Sequence, residues 1–125
     1  MKFRVARHTK NLLLLKKFYT EVIGLIVLGD FENHEGYDGL FLGEVGENWH
    51  LEFTFDGDLP NSQPDPDDLF VFYVNSDREL ENIKEQAIKN CSPMVASKNP
   101  YWNRNGITLI DPDGFRVVIS VHKKK

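Results

Sequence analysis

Between Gly57 and Asp68 the chain carries Pro60, Pro64 and Pro66 among Asp, Asn, Ser and Gln. Proline lacks a backbone N–H and fixes φ, so this stretch can form neither a helix nor a central strand. It divides the sequence into two halves that read alike: strand, helix, strand, strand, strand. In the first half Phe3, Val5 and Arg7 alternate with Arg4, Ala6 and His8, the period of a strand. A helix begins near Thr9 or Asn11. Its Leu12, Leu15, Phe18, Tyr19 and Val22 fall on one stripe, and Gly24 ends it. Residues 25–28 predict a second strand, residues 33–39 a turn-rich loop, and residues 40–42 and 49–55 two more strands.

The second half repeats the pattern. Residues 69–74 predict a strand. Ser76-Asp77-Arg78-Glu79 is a capping box, in which Ser76 and Glu79 each satisfy a free amide at a helix start. Leu80, Ile83 and Ala87 supply the helix's buried stripe, and residues 94–96 a short strand. Residues 106–110 and 115–121 form a closing hairpin around Asp111-Pro112-Asp113-Gly114, where Pro presets φ, Gly permits a positive φ and Asp side chains bond nearby amides.

Composition removes several classes of function. With 41% apolar and 27% charged residues the chain suits one soluble domain. A net charge of −4 disfavours nucleic acid, which needs a concentrated cationic face. No apolar run approaches the roughly 20 residues of a membrane span. Residues 12–15 are too short for a signal-peptide core and run into lysines. A cytoplasmic protein without membrane contact is expected. Cys91, the single cysteine, excludes an internal disulfide and has no adjacent base to make it a nucleophile. The basic tail, residues 122–125, reads as a frayed, solvated end.

Three motifs then carry a resemblance. Phe18-Tyr19 ahead of Ile23-Gly24-Leu25, Leu51-Glu52-Phe53-Thr54 closing the first half, and Asp111-Pro112-Asp113-Gly114-Phe115 before the last strand stand in the order and spacing of one family. Over nearly its whole length the chain resembles the glyoxalase/bleomycin-resistance/dioxygenase superfamily, the vicinal-oxygen-chelate fold. The segment 99–106, Asn-Pro-Tyr-Trp-Asn-Arg-Asn-Gly, is less usual and points to a subgroup apart from the named enzymes. The resemblance implies an α+β fold: two βαβββ modules forming a curved mixed sheet around a cavity. Module one is 1–56, the linker 57–68, module two 69–121 and the tail 122–125, all within one domain, 1–125. It also implies a homodimer.

Many members of that family hold a divalent metal through four inward side chains, one on the first and one on the last strand of each module. Those positions fall on Arg4, Glu52, Leu69 and Val118. Arginine stays protonated and offers no lone pair, and leucine and valine have no donor atom. One carboxylate cannot replace the three or four protein ligands of zinc or nickel. No metal cofactor is therefore expected. A divalent ion at Glu52, or a different site from His34, His50 and Glu52, is the alternative.

Strand alternation sorts the remaining candidates. Arg4, Ala6 and His8 share a face, as do His50, Glu52 and Thr54; Leu69, Val71 and Tyr73; and Arg116, Val118 and Ser120. The opposite faces, with Val5, Leu51, Phe53, Phe70, Phe72, Val74, Val117 and Ile119, read as uniformly apolar and suit packing on the helices. Arg4, His8, Tyr73 and Arg116 become candidate ligand-binding residues. Arg4 and Glu52 equally suit a buried ion pair acting as a structural clasp. Glu52 and His50 form a candidate acid–base pair, although a lone strand histidine also serves as a hydrogen-bonded filler. His34, beside Tyr37, reads as a loop residue. Tyr101 and Trp102 form a candidate aromatic lid, or else fill a gap beneath their loop or make a subunit contact.

Two functions follow. The first is metal-independent binding of a small anionic or aromatic molecule, in the manner the resemblance implies for bleomycin-resistance proteins. The second is a divergent glyoxalase-like lyase, isomerase or hydrolase with Glu52 as base, His50 as acid and Arg4 as electrostatic stabiliser. A purely structural subunit would instead show a filled, flat inner face.

Overall fold

Eight strands pair into two four-stranded sheets in the computed structural model, which describes residues 1–61 and 63–122. The chain divides into two units, Met1–Ser62 and Gln63–Lys125, each a βαβββ module. Among the described residues no helix is long and apolar enough to cross a membrane.

The first module runs β1 (Phe3–His8), α1 (Leu12–Lys17) with a wider π-helical turn (Phe18–Val22), β2 (Ile26–His34), β3 (Tyr37–Gly43) and β4 (Trp49–Phe55). Its sheet order is β1-β4-β3-β2, with β1 parallel to β4. Asn11 starts the helix, its Oδ1 accepting from the Leu14 N–H at 3.0 Å. Leu15, Phe18, Tyr19 and Val22 are buried, as are Leu40, Leu42, Leu51 and Phe53 of the sheet. Tyr19 stacks on Phe53 with ring centroids 5.1 Å apart, which fixes the face that α1 covers. The expected single helix widens at its end. The Leu25 N–H reaches back six residues to the Tyr19 carbonyl at 2.8 Å, across Gly24 at φ +91°.

Two expectations for this module need correction. The second strand does not stop at residue 28, and residues 33–39 are not a loop. β2 continues to His34 and β3 restarts at Tyr37. Glu35 and Gly36 lie at φ 52° and 86°, the two left-handed residues of a two-residue hairpin turn. Asn33, at φ 48°, lies within a register shift between Phe31 and His34, and its N–H donates to Asp38 Oδ1 at 2.8 Å. The helix-covered face is also not uniformly apolar. Arg7 lies on it, with its guanidinium 4.9 Å from the Phe53 ring centroid, where a cation on the ring face is favourable.

The second module runs β5 (Leu69–Val74), α2 (Asp77–Lys89), β6 (Met94–Val95), a 3-10 turn (Pro100–Asn103), β7 (Gly106–Ile110) and β8 (Arg116–Val121), with sheet order β5-β8-β7-β6. Ser76 Oγ accepts from the Glu79 N–H at 3.2 Å, and Glu79 Oε2 accepts from the Asn75 N–H at 3.3 Å. Both arms of the capping box form, the second one residue earlier than usual. In the turn before β8, buried Asp111 accepts from the Asp113 and Phe115 amides at 2.9 and 3.1 Å, with Gly114 at φ +90°. Val117, Val118 and Ile119 on the central strand are fully buried. His122 is exposed, as expected for the tail, but it is not frayed. Its N–H donates to the Val74 carbonyl at 2.8 Å and its ring meets Tyr73 edge-on at 5.9 Å, because the β5–β8 pairing carries on one residue past the strand. Lys123, Lys124 and Lys125 lie outside the described residues.

The two sheets match in register. Arg4 pairs with His50, two residues before Glu52, and Leu69 pairs with Arg116, two residues before Val118. The four positions compared with metal ligands above are therefore equivalent places in the two modules.

Candidate functional site

The face of the first sheet turned away from α1 gathers four of the eight candidate residues, Arg4, His8, His50 and Glu52. Cross-strand pairing arranges it in three rows. Arg4, His50 and Gly43 form the first, Ala6, Glu52, Phe41 and Gly29 the second, and His8, Thr54, Gly39 and Phe31 the third. Side chains directly opposite one another on paired strands share a face and touch. Gly39 makes room for a ring from β2, and Gly43 for an aliphatic side chain from the same strand. A Cβ added at Gly39 would lie 2.9 Å from Phe31 Cδ1 and closer still to Cε1 and Cζ. One at Gly43 would lie 2.9 Å from Leu28 Cδ1.

An aromatic strip therefore crosses the face. His34 meets Phe31 at 6.0 Å between centroids, Phe31 meets Phe41 at 5.8 Å, and Phe41 meets His50 at 5.7 Å. The Arg4 guanidinium covers Phe41, 5.2 Å from its centroid. Arg4 Nε donates to His50 Nε2 at 2.8 Å, and Arg4 Nη1 approaches Glu52 Oε1 at 3.5 Å. The Arg4 side chain is 52% exposed, so this ion pair stabilises the fold by less than about 1 kcal/mol. It is not a buried clasp. With Nε and Nη1 engaged, the Nη2 edge remains for a ligand.

His50 is 7% exposed. Burial, then the Arg4 and Lys2 charges, push its pKa down, and Glu52 only partly opposes them. The ring is thus neutral, with its proton on Nδ1 and Nε2 accepting from Arg4. In this arrangement Nε2 aims the guanidinium.

His8 stands at the far end of the same strand face. Its Nε2 lies 2.9 Å from Asp56 Oδ1, which also accepts from the Asp58 N–H at 3.0 Å. That amide bond and the His8 ring hold the Asp56 carboxyl below the usual carboxylate range. Asp56 was not legible as a site residue, because it follows β4 and escapes the alternation rule. Phe31 and Phe41 were missed as well, since only the register places them beside Arg4.

The other candidates lie in the second module. Tyr73 is exposed on β5 against His122. Arg116 Nη1 donates to the Ala96 carbonyl at 3.2 Å, a tie to the segment after β6. Tyr101 and Trp102 meet edge-to-face at 4.9 Å on the 3-10 turn. Their loop is closed by Asn103, whose amide accepts from the Ser97 N–H and donates to the Ser97 carbonyl.

The residues do not fit the metal that the fold family often carries. The Arg4 guanidinium sits against the two module-one donors, His50 Nε2 and Glu52 Oε1, and would repel a cation. Leu69 and Val118 supply no lone pair. His34 is not brought to His50 and Glu52 either, because the Phe31 and Phe41 rings stand between. Among the described residues no three His, Cys, Asp or Glu side chains are grouped to hold a metal ion.

Comparison with known proteins agrees with this layout of modules. Residues 3–54 match the YycE-like N-terminal domain and residues 67–120 the YycE-like C-terminal domain. Protein YycE of Bacillus subtilis (strain 168) is 41% identical over 116 residues, covering 92% of this chain and 84% of YycE. The chain belongs to the YycE-like family. A crystal structure of a YycE protein of unknown function from Bacillus subtilis, described as a candidate glyoxalase/fosfomycin resistance protein, superposes with a TM-score of 0.88 at 38% identity, covering 99% of this chain and 91% of that one. Leishmania major glyoxalase I gives a TM-score of 0.73 at 21% identity, with 94% and 84% of the two chains covered. TnmS3, an antibiotic binding protein from Streptomyces sp. CB03234, gives 0.69 at 16%, with 98% and 96% covered. The last two likenesses show the fold alone. YycE-like proteins thus share the vicinal-oxygen-chelate architecture of paired βαβββ modules, and this chain is one of them.

Proposed function

We propose that the first-module face binds a small molecule carrying an anionic group on an aromatic body, without a metal. The observation that carries this reading is the Arg4 guanidinium. It is held over Phe41 by His50 and Glu52 with an edge left for a ligand. A guanidinium fixed by its Nε and one Nη offers its Nη2 N–H groups to an anion with little side-chain freedom left to lose on binding. The Phe41 and Phe31 rings supply a flat apolar surface beside it. Binding without turnover suits this site better than acid–base catalysis. The His50 Nε2 lone pair is directed at Arg4, and Glu52 faces the same cation. TnmS3 is described as an antibiotic binding protein, a role that this fold accommodates.

Calorimetric titration with benzoate and with benzyl alcohol tests the proposal. Benzoate is expected to bind and the neutral alcohol to bind at least tenfold more weakly. Arg4→Gln is expected to remove the preference. Equal affinity for the two, or a preference that survives Arg4→Gln, would overturn the reading.

A further inference from the structure

The His8–Asp56 pair has no role in holding Arg4, yet it lies on the same face of the same strand, four residues away. We infer that His8, oriented by Asp56, is a second polar anchor, and that the ligand is an aromatic acid with a hydroxyl para to its anionic group. The inference rests on the Arg4 reading for the anionic end and adds the opposite end.

The carboxylate of Asp56 can only accept, so His8 Nε2 donates to it and Nδ1 is the ring nitrogen left for a ligand. A ligand hydroxyl both donates and accepts, so it fits Nδ1 in either protonation state of the ring. Ala6, a side chain too small to obstruct a ring, lies between Arg4 and His8 on β1, with Glu52 beside it on β4 and Phe41 beyond on β3. Arg4 reaches from β1 across β4 to lie over Phe41 on β3, whereas His8 stays at the end of β1 beside Asp56, so the two anchors suit opposite ends of one ligand. The para position is the one that points directly away from the anionic group. A structural clasp between the end of β1 and the turn after β4 is the competing reading. It predicts altered stability but no discrimination among ligands.

Benzoate and 4-hydroxybenzoate are therefore compared by calorimetry on the wild-type chain, His8→Gln and Asp56→Asn, each checked for a native circular dichroism spectrum. The 4-hydroxy acid is expected to bind the wild type about five- to tenfold more tightly, the worth of one added hydrogen bond. His8→Gln is expected to abolish that advantage, so that the two acids bind this variant equally. Asp56→Asn is expected to reduce the advantage. A para-hydroxyl that brings no gain in the wild type, or a gain that survives His8→Gln, overturns the second anchor while the Arg4 site stands. Failure of both acids to bind overturns both readings.

Discussion

Gly39→Ala should destabilise the protein, although nothing about the Gly39 backbone forbids alanine. The residue lies in regular β3 pairing with Thr54 and Phe31, and is not among the glycines at positive φ. Alanine in place of a strand glycine is ordinarily worth about 0.5–1 kcal/mol in favour of folding. Here the new Cβ overlaps the Phe31 ring. Either the ring is compressed, at about 1–3 kcal/mol for overpacking, or it swings out and loses its contact with Phe41, about 0.5–1.5 kcal/mol plus exposed area. The net expectation is a loss of about 1–2 kcal/mol, a fall in Tm of roughly 4–8 °C for a chain of this length. In a Phe31→Ala background the clash is gone, and the same substitution should raise Tm by roughly 2–4 °C. A thermal double-mutant cycle by circular dichroism measures both legs. If Gly39→Ala is neutral or stabilising while Phe31 is present, or has the same sign in both backgrounds, the ring does not lie over Gly39 and the aromatic strip is wrongly built.

Three other outcomes are expected. Asp111→Ala strips the acceptor from two turn amides in a buried place and should cost about 2 kcal/mol, read as a lower urea midpoint with unchanged m. Because His50 has a depressed pKa when folded, the unfolded chain binds the extra proton first. Its contribution to stability is complete above the ordinary imidazole value of about 6.5 and is lost as pH falls from there to the folded pKa. Urea titrations from pH 7.5 to 5 should show that loss, and His50→Gln should flatten it. Zinc or nickel should not raise Tm, and EDTA should not lower it, because Arg4 occupies the donors; Arg4→His is the variant that should begin to respond.

The second module was nearly all legible because its signals are local. Ser76 and Glu79 announce the helix start, and Asp111 with Gly114 announces the last turn, each through bonds within four residues. The first module hides its hairpin because turn formers do other work there. Asn33 and Asp38 bridge a register shift inside strands, and Gly39 is a strand residue that a ring from the next strand covers. Alternation put Arg4, His8, His50 and Glu52 on one face, since that depends only on period. It could not supply Phe31, Phe41 or Asp56. Their places depend on antiparallel register and on a parallel pairing across 48 residues of sequence, from His8 to Asp56. Aromatic residues next to one another in sequence, Tyr101 and Trp102, drew attention to a loop, whereas the aromatic strip is assembled from three strands.

Soaking or co-crystallising the protein with 4-hydroxybenzoate places the claim about Arg4 under the most direct test. The carboxylate is expected within hydrogen-bond distance of the Arg4 Nη2 edge, with the ring against Phe41 and the hydroxyl toward His8. A carboxylate bound elsewhere, or a guanidinium turned out into water away from Phe41 and His50, would contradict the account.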